Sequence, residues 1–166
     1  MILSFTLLLI SCFIASEVTF SSASDESISG SSSVDNVNTT SVVKVNNITL
    51  NVILATTPGD QSKGLAVKDS MNENEGMLFV FKNSQKHSFW MKDMKFPIDI
   101  IWVDPEGRIV HIEKNLQPCV FLLPCTSYSP ENDSMYVLEV VSNFTNKYNI
   151  KLGDQIQSES ISLNNK

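Results

Sequence analysis

Apolar residues in this chain come as one long run at the start and then, after a polar gap, as short bursts of strand length. The opening run is Met1-Ile-Leu-Ser-Phe-Thr-Leu-Leu-Leu-Ile-Ser-Cys-Phe-Ile-Ala15 and carries no charge. Residues 21–41 read SSASDESISGSSSVDNVNTTS, without periodic apolar positions that could bury a face, which predicts a flexible tether. The bursts then begin. Ile48-Thr-Leu-Asn-Val-Ile-Leu-Ala55 mixes alternation with a continuous apolar end, and Gly76-Met-Leu-Phe-Val-Phe81 is apolar on both faces, as a buried central strand is. Between them, Thr57 to Lys68 offers an N-terminal cap and good helix formers, predicting one short helix that Gly64 weakens.

His87-Ser-Phe-Trp-Met91 and Ile98-Asp-Ile-Ile-Trp-Val-Asp104 read as the next strands. Asp104-Pro-Glu-Gly107 supplies turn chemistry leading into Arg108-Ile-Val-His-Ile-Glu113, so a hairpin is predicted there. Met135 to Val141 is another buried strand, Ser142 to Tyr148 a short helix, and Gly153 to Gln157 a closing strand. The sum is a mainly β single domain with one or two short helices, a small closed or partly open β-barrel or an α+β sandwich. The expected organisation is a signal or anchor over 1–23, a disordered tether over 24–41, a domain over 42–160 and a disordered tail over 161–166. With 166 residues, there is room for one core and not two.

As a helix the first fifteen residues reach about 22 Å, short of a spanning segment and close to a secretory apolar core. Cleavage is expected near Ala15-Ser16 or Ala23-Ser24, although no Lys or Arg precedes Lys44 to supply the usual positive flank. An uncleaved anchor reaching Phe20 is the alternative. A further one is lipidation of Cys12, since Leu9-Ile-Ser-Cys12 resembles a bacterial lipobox. Four glycosylation sequons start at Asn38, Asn47, Asn132 and Asn143, and are used only if the chain is exported. Asn38, in the tether, is the one expected to carry a glycan first. Cys119 and Cys125 form an even pair once Cys12 is set aside, and in an oxidising compartment they predict a structural disulfide worth about 2 to 3 kcal/mol. Their spacing does not match C-x-x-C redox or zinc motifs.

The net charge is −6, with 12 basic and 18 acidic side chains. An acidic chain without a basic cluster has no means of holding a phosphate backbone, so no nucleic-acid partner is expected. The membrane is expected to be met only through the N-terminal segment.

Several motifs together carry a resemblance. They are Lys63-Gly64-Leu65, Gly76 to Phe81, Phe89-Trp-Met-Lys92 with Pro97-Ile-Asp-Ile100, the stretch from Cys119 through Pro124-Cys125 to Tyr128-Ser-Pro130, Val137-Leu-Glu139 and Gly153-Asp154. Over about Val52 to Ile156 the chain resembles the domain of unknown function family DUF192, small β-rich proteins of bacteria and archaea. That resemblance implies the fold and brings no established activity with it. The chain departs where the family often has Gly-Leu-Met followed closely by Arg, because Ala66 and Lys68 stand there.

Candidate chemistry is sparse. No G-x-S-x-G or H-E-x-x-H occurs, and the chain has two histidines. Asp99 between Ile98 and Ile100, and Glu139 between Leu138 and Val140, are carboxylates among apolar neighbours and thus candidate catalytic or ligand-binding groups. Against this, strand alternation could place either on a solvated face or beside Arg108 or a lysine. His87, Met91 and Met94 are candidate soft-metal ligands suited to copper, the alternative being Met77 and Met91 in the core and His87 on the surface. Trp90 and Trp102 are candidate aromatic platforms for a sugar or small ligand, or else core. The reading is an exported or cell-surface binding or accessory module, with an unknown small molecule, glycan or surface protein as partner and no cofactor. The alternatives are an enzyme using Asp99 and Glu139, or a copper-binding protein.

Overall fold

In the computed structural model the described residues are 39–120, 123–158 and 161. The expected signal segment, Cys12, Asn38, most of the tether and nearly all of the tail lie outside them.

Among the described residues, nine strands and two short helices follow one another: β1 (Thr40–Val45), β2 (Ile48–Ala55), α1 (Pro58–Lys63), β3 (Glu75–Gln85), β4 (Phe89–Trp90), β5 (Ile98–Val103), β6 (Ile109–Leu116), β7 (Ser127–Tyr128), β8 (Ser134–Val141), α2 (Phe144–Lys147) and β9 (Ile156–Ser158). Seven strands form one sheet in the order β6-β5-β8-β3-β2-β1-β9, while β4 and β7 pair separately. The fold is thus mainly β, a curled half-barrel with a small second sheet. An antiparallel bridge between Arg108 and Gln155 joins the two edge strands at one corner, reinforced by Ile109 N donating to the Asp154 carbonyl at 2.9 Å and Ile156 N to that of Gly107 at 2.8 Å.

The predicted elements hold in type and shift at their ends. β1 starts at Thr40, inside the expected tether, because Val43 and Val45 are buried against the core and each pairs with a residue of β2. β7 was not expected, since two residues give no periodic signal. His87 to Met91 reduces to the two-residue β4. The Asp104–Gly107 turn forms as read, with Arg108 N donating to Asp104 Oδ1 at 2.7 Å. The helical segment is split. Thr57 accepts the Asp60 N–H at 3.2 Å to start α1, and Gly64 ends it at φ 52°, ψ −148°, a region open essentially to glycine alone. A single 3-10 turn, Gly64–Val67, follows.

Alternation sorts the apolar residues of the strands onto two faces. One face carries Leu50, Val52, Leu54, Leu78, Ile101, Val103, Leu138 and Val140, with Phe144 and Ile150 packed on it. The other carries Met77, Phe79, Ile98, Ile100, Trp102 and Val137, with Leu65 and Met91 over it. Because β2 and β3 run parallel, their connection must cross a sheet face. α1 and the 3-10 turn make that crossing, pinned where Gln61 Nε2 donates to the carbonyls of Val80 at 2.9 Å and Ala55 at 3.3 Å. Gly76 sits where β3 meets β8. A Cβ there would lie 2.8 Å from the Glu139 carbonyl oxygen, so only glycine allows this approach.

Candidate functional site

The two carboxylates are neighbours in the ladder and point to opposite faces. On the β5–β8 pair, Asp99 lies opposite Val140 and Ile100 opposite Glu139. Neither carboxylate is solvated, since Asp99 is 0 % and Glu139 4 % exposed, so the expectation of a wet strand face is corrected: both faces of the central strands are covered.

Asp99 is fully occupied. Its Oδ1 accepts the N–H groups of Asn115 at 2.8 Å and Asn143 at 3.1 Å, and its Oδ2 accepts the N–H and Oγ1–H of Thr145 at 2.9 and 2.6 Å. These bonds tie β6 and the start of α2 to β5, so Asp99 holds the fold together and has no oxygen left for a ligand. Arg108 is not its partner.

Glu139 is the reverse case. Its pairing partners on either side are Met77 of β3 and Ile100 of β5, both apolar, and its Oε2 is buried without a hydrogen bond. Burial pushes its pKa from 4.5 up to about 8, which keeps the carboxyl largely protonated at neutral pH.

Glu139 lines a cleft of about 540 Å³, whose walls include Gly64, Leu65, Phe79, Phe81, Phe89 and Trp90. The crossover supplies one wall and the β4 region the other. Phe79 and Phe89 meet edge to face with centroids 4.8 Å apart, and the His87 ring stacks on Phe81 at 3.5 Å. Trp102 lies under this wall, fully buried, with its indole N–H donating to the His87 carbonyl at 2.8 Å. It is core, as one of its two readings held. Trp90 is 55 % exposed at the cleft, placed there by pairing with Ser127 of β7, and the Lys92 ammonium lies 5.4 Å from its ring centroid.

His87 is buried, not the surface residue of the alternative reading, because Phe81 covers its ring. Its Nε2 faces the Asn83 carbonyl at 3.1 Å and its Nδ1 the Gln85 amide nitrogen at 3.4 Å. An acceptor on one side and a donor on the other fix the neutral tautomer with the proton on Nε2. Burial holds its pKa below 6.5.

The soft-donor set is divided. His87 and Met94 line the cleft, whereas Met91 is core and lines a smaller pocket with Cys119 and Cys125. Among the described residues, no three His, Cys, Asp or Glu side chains group closely enough to hold a metal ion. Cys119 and Cys125 lie at disulfide distance, their Cα atoms 5.4 Å apart. Of the sequons among the described residues, Asn47, Asn132 and Asn143 are all exposed; Asn143 sits at φ 68° and its Oδ1 accepts from Asn146. Among the described residues, no helix is long and apolar enough to cross a membrane.

Sequence reasoning singled out Glu139, Trp90, His87 and Met94, which all line the cleft, and missed its other parts. Phe79, Phe81 and Phe89 read only as strand filler. The Lys63-Gly64-Leu65 motif entered only through the family resemblance, and nothing in its spacing placed it over Phe79.

Two solved structures resemble this fold. One, from Sinorhizobium meliloti 1021, is described provisionally as a transcription regulator; at 24% identity it covers 75% of this chain and 97% of its own, with a TM-score of 0.68. The other is a protein of unknown function from Novosphingobium aromaticivorans, 27% identical over 71% of this chain and 83% of its own, with a TM-score of 0.64. No curated protein matches. The family model described as DUF192, Uncharacterized ACR, matches residues 41–158, and the chain belongs to that family.

Proposed function

We propose that this domain is a binding module that takes a small molecule into the cleft, and that the chain is an exported or cell-surface accessory protein carrying it. The observation that supports the binding reading is the joining of a buried, unpartnered carboxyl with an aromatic wall and an exposed indole in one cleft. Apolar and aromatic walls joined by a few placed polar groups, here Glu139 with Gln61, Lys63, His87, Lys92 and Asp93, are the usual composition of a small-ligand site, in which the polar groups orient and the walls supply affinity. An unmet buried hydrogen-bonding group costs about 1 to 3 kcal/mol, which a fitting ligand recovers. The export half rests on the apolar leader and the polar stretch behind it. A nucleic-acid partner, raised by the description of the Sinorhizobium protein, is opposed by the charge of −6.

A fragment screen by ligand-observed NMR tests the binding half. Fragments are expected to compete for one site, to alter Trp90 fluorescence and to be lost in Val67→Trp, which narrows the cleft from an exposed position. A screen whose hits ignore Val67→Trp and Trp90→Ala refutes it. Fractionation and N-terminal sequencing test export, and recovery of an unprocessed, reduced protein from the cytosol refutes that half.

The second reading is an enzyme using Glu139 as general acid or base, favoured by its pKa of about 8. Asp99 is not part of it, being on the other face and fully bonded. Turnover on a broad substrate panel, abolished by Glu139→Gln in folded protein, decides for this reading.

A further inference from the structure

We infer that the cleft is built for a primary ammonium on a flat apolar body, seated among Phe79, Phe81, Phe89 and Trp90 and paired with Glu139. This rests on the ligand-binding reading and names its ligand class.

The argument starts from what Glu139 lacks. Met77 and Ile100 flank it in the sheet, and its Oε2 has no donor. The ionisable groups that share the cleft come from the other elements: Lys63 from α1, His87 from the turn before β4, and Lys92 and Asp93 from the turn after it. None of them hydrogen-bonds to Glu139. His87 is neutral and engaged with Asn83 and Gln85, and Lys92 lies over Trp90.

The walls restrict the ligand further. Ring faces carry negative potential, so aromatic walls favour positive charge, although His87 covers one face of Phe81, Lys92 lies over Trp90, and Lys63 and Lys92 already set two cations in the lining against Asp93. Lys92 over Trp90 is an example within the chain of an alkylammonium against this wall. A neutral alcohol can satisfy one carboxyl oxygen but gains nothing from the ring faces. An ammonium has three N–H donors, one or two for the carboxylate and the remainder over the rings. The volume of about 540 Å³ falls within the usual range for such ligands.

Charge balance makes binding proton-linked. The ligand arrives protonated and stays so, while the Glu139 carboxyl releases its proton to solvent as the ion pair forms. Affinity therefore rises about tenfold per pH unit below the point where Glu139 ionises unaided, near pH 8, and flattens above it.

The test uses 2-phenylethylamine and its neutral analogue 2-phenylethanol, titrated calorimetrically into the full chain at pH 6.5 and 7.5 in phosphate and in MOPS. The amine is expected to bind at least tenfold tighter than the alcohol at pH 7.5, to gain about tenfold between the two pH values, and to show a buffer-dependent heat equal to about one released proton. Glu139→Gln should abolish the preference and the pH slope while keeping alcohol binding. Should that variant fold poorly, Trp90→Ala, altered at an exposed position, is expected to weaken the amine about tenfold without changing stability. Equal affinity for both probes, or an amine affinity flat with pH, overturns the ammonium inference and leaves a cleft that binds something else. Binding of neither probe also overturns it, and the fragment screen then judges the cleft on its own.

Discussion

Replacing Glu139 by glutamine removes a proton-binding group while nearly preserving its shape, so the variant isolates what the buried carboxyl does to stability. Burial raises its pKa from 4.5 to about 8, meaning that the folded state holds the proton more tightly than the unfolded chain. Below pH 4.5 both states are protonated and the carboxyl's contribution is fully present. Between 4.5 and 8 the unfolded chain has lost the proton and the folded one keeps it, so stability falls by about 1.4 kcal/mol per pH unit. Above 8 the carboxylate is charged in both states and the loss is complete, on the order of 5 kcal/mol. The assay is urea denaturation of both proteins from pH 4 to 9, plotted as the difference. His87, held below 6.5, destabilises both proteins on acidification and cancels in that difference. The glutamine variant is expected to gain on the native protein across the window and to be the more stable of the two near pH 8 to 9. Parallel curves across that range would falsify the picture of an unpaired buried carboxyl.

Asp99→Asn turns one acceptor oxygen with two bonds into a donor facing donors, and should cost about 4 kcal/mol by urea midpoint; a loss under about 1 kcal/mol refutes its anchoring role. Gly76→Ala sets a methyl 2.8 Å from a backbone oxygen and is expected to destabilise by about 2 kcal/mol, although alanine ordinarily suits a strand better than glycine. A neutral or stabilising result there means that β3 and β8 are farther apart than described. Reducing Cys119–Cys125, six residues apart, should lower stability by about 2 kcal/mol, equally in the Cys119→Ser, Cys125→Ser double variant. An unchanged melting temperature in dithiothreitol would count against the bridge.

Strands were legible where burial is regular. Ile98 to Val103 reads as a strand from its apolar run, but it is buried on both faces, which the solvated face allowed for Asp99 did not foresee. The hairpin at Asp104–Gly107 was legible because turn chemistry is local. β1 was obscured by the polar stretch preceding it, since Val43 and Val45 are too few to mark a period. For the site, composition flagged Asp99 and Glu139 as equals. Their roles diverge through partners that lie far along the chain: Thr145 satisfies Asp99 across 46 residues, while none of the described residues reaches Glu139 Oε2. Such distant pairings leave no trace in local pattern. Likewise His87 looked like a surface residue because the ring that covers it, Phe81, belongs to another element.

The Arg108–Gln155 bridge bears on how the molecule keeps to itself in a crowded solution. A sheet's outermost strands offer unclaimed amides and carbonyls to any passing chain, a route to fibrils. Here those two borders are fastened to one another at a corner, which shortens the stretch that a stranger could zip onto. Loosening the corner, for instance by Ile156→Pro, which removes the N–H that donates to Gly107, should make the protein stick to its own copies.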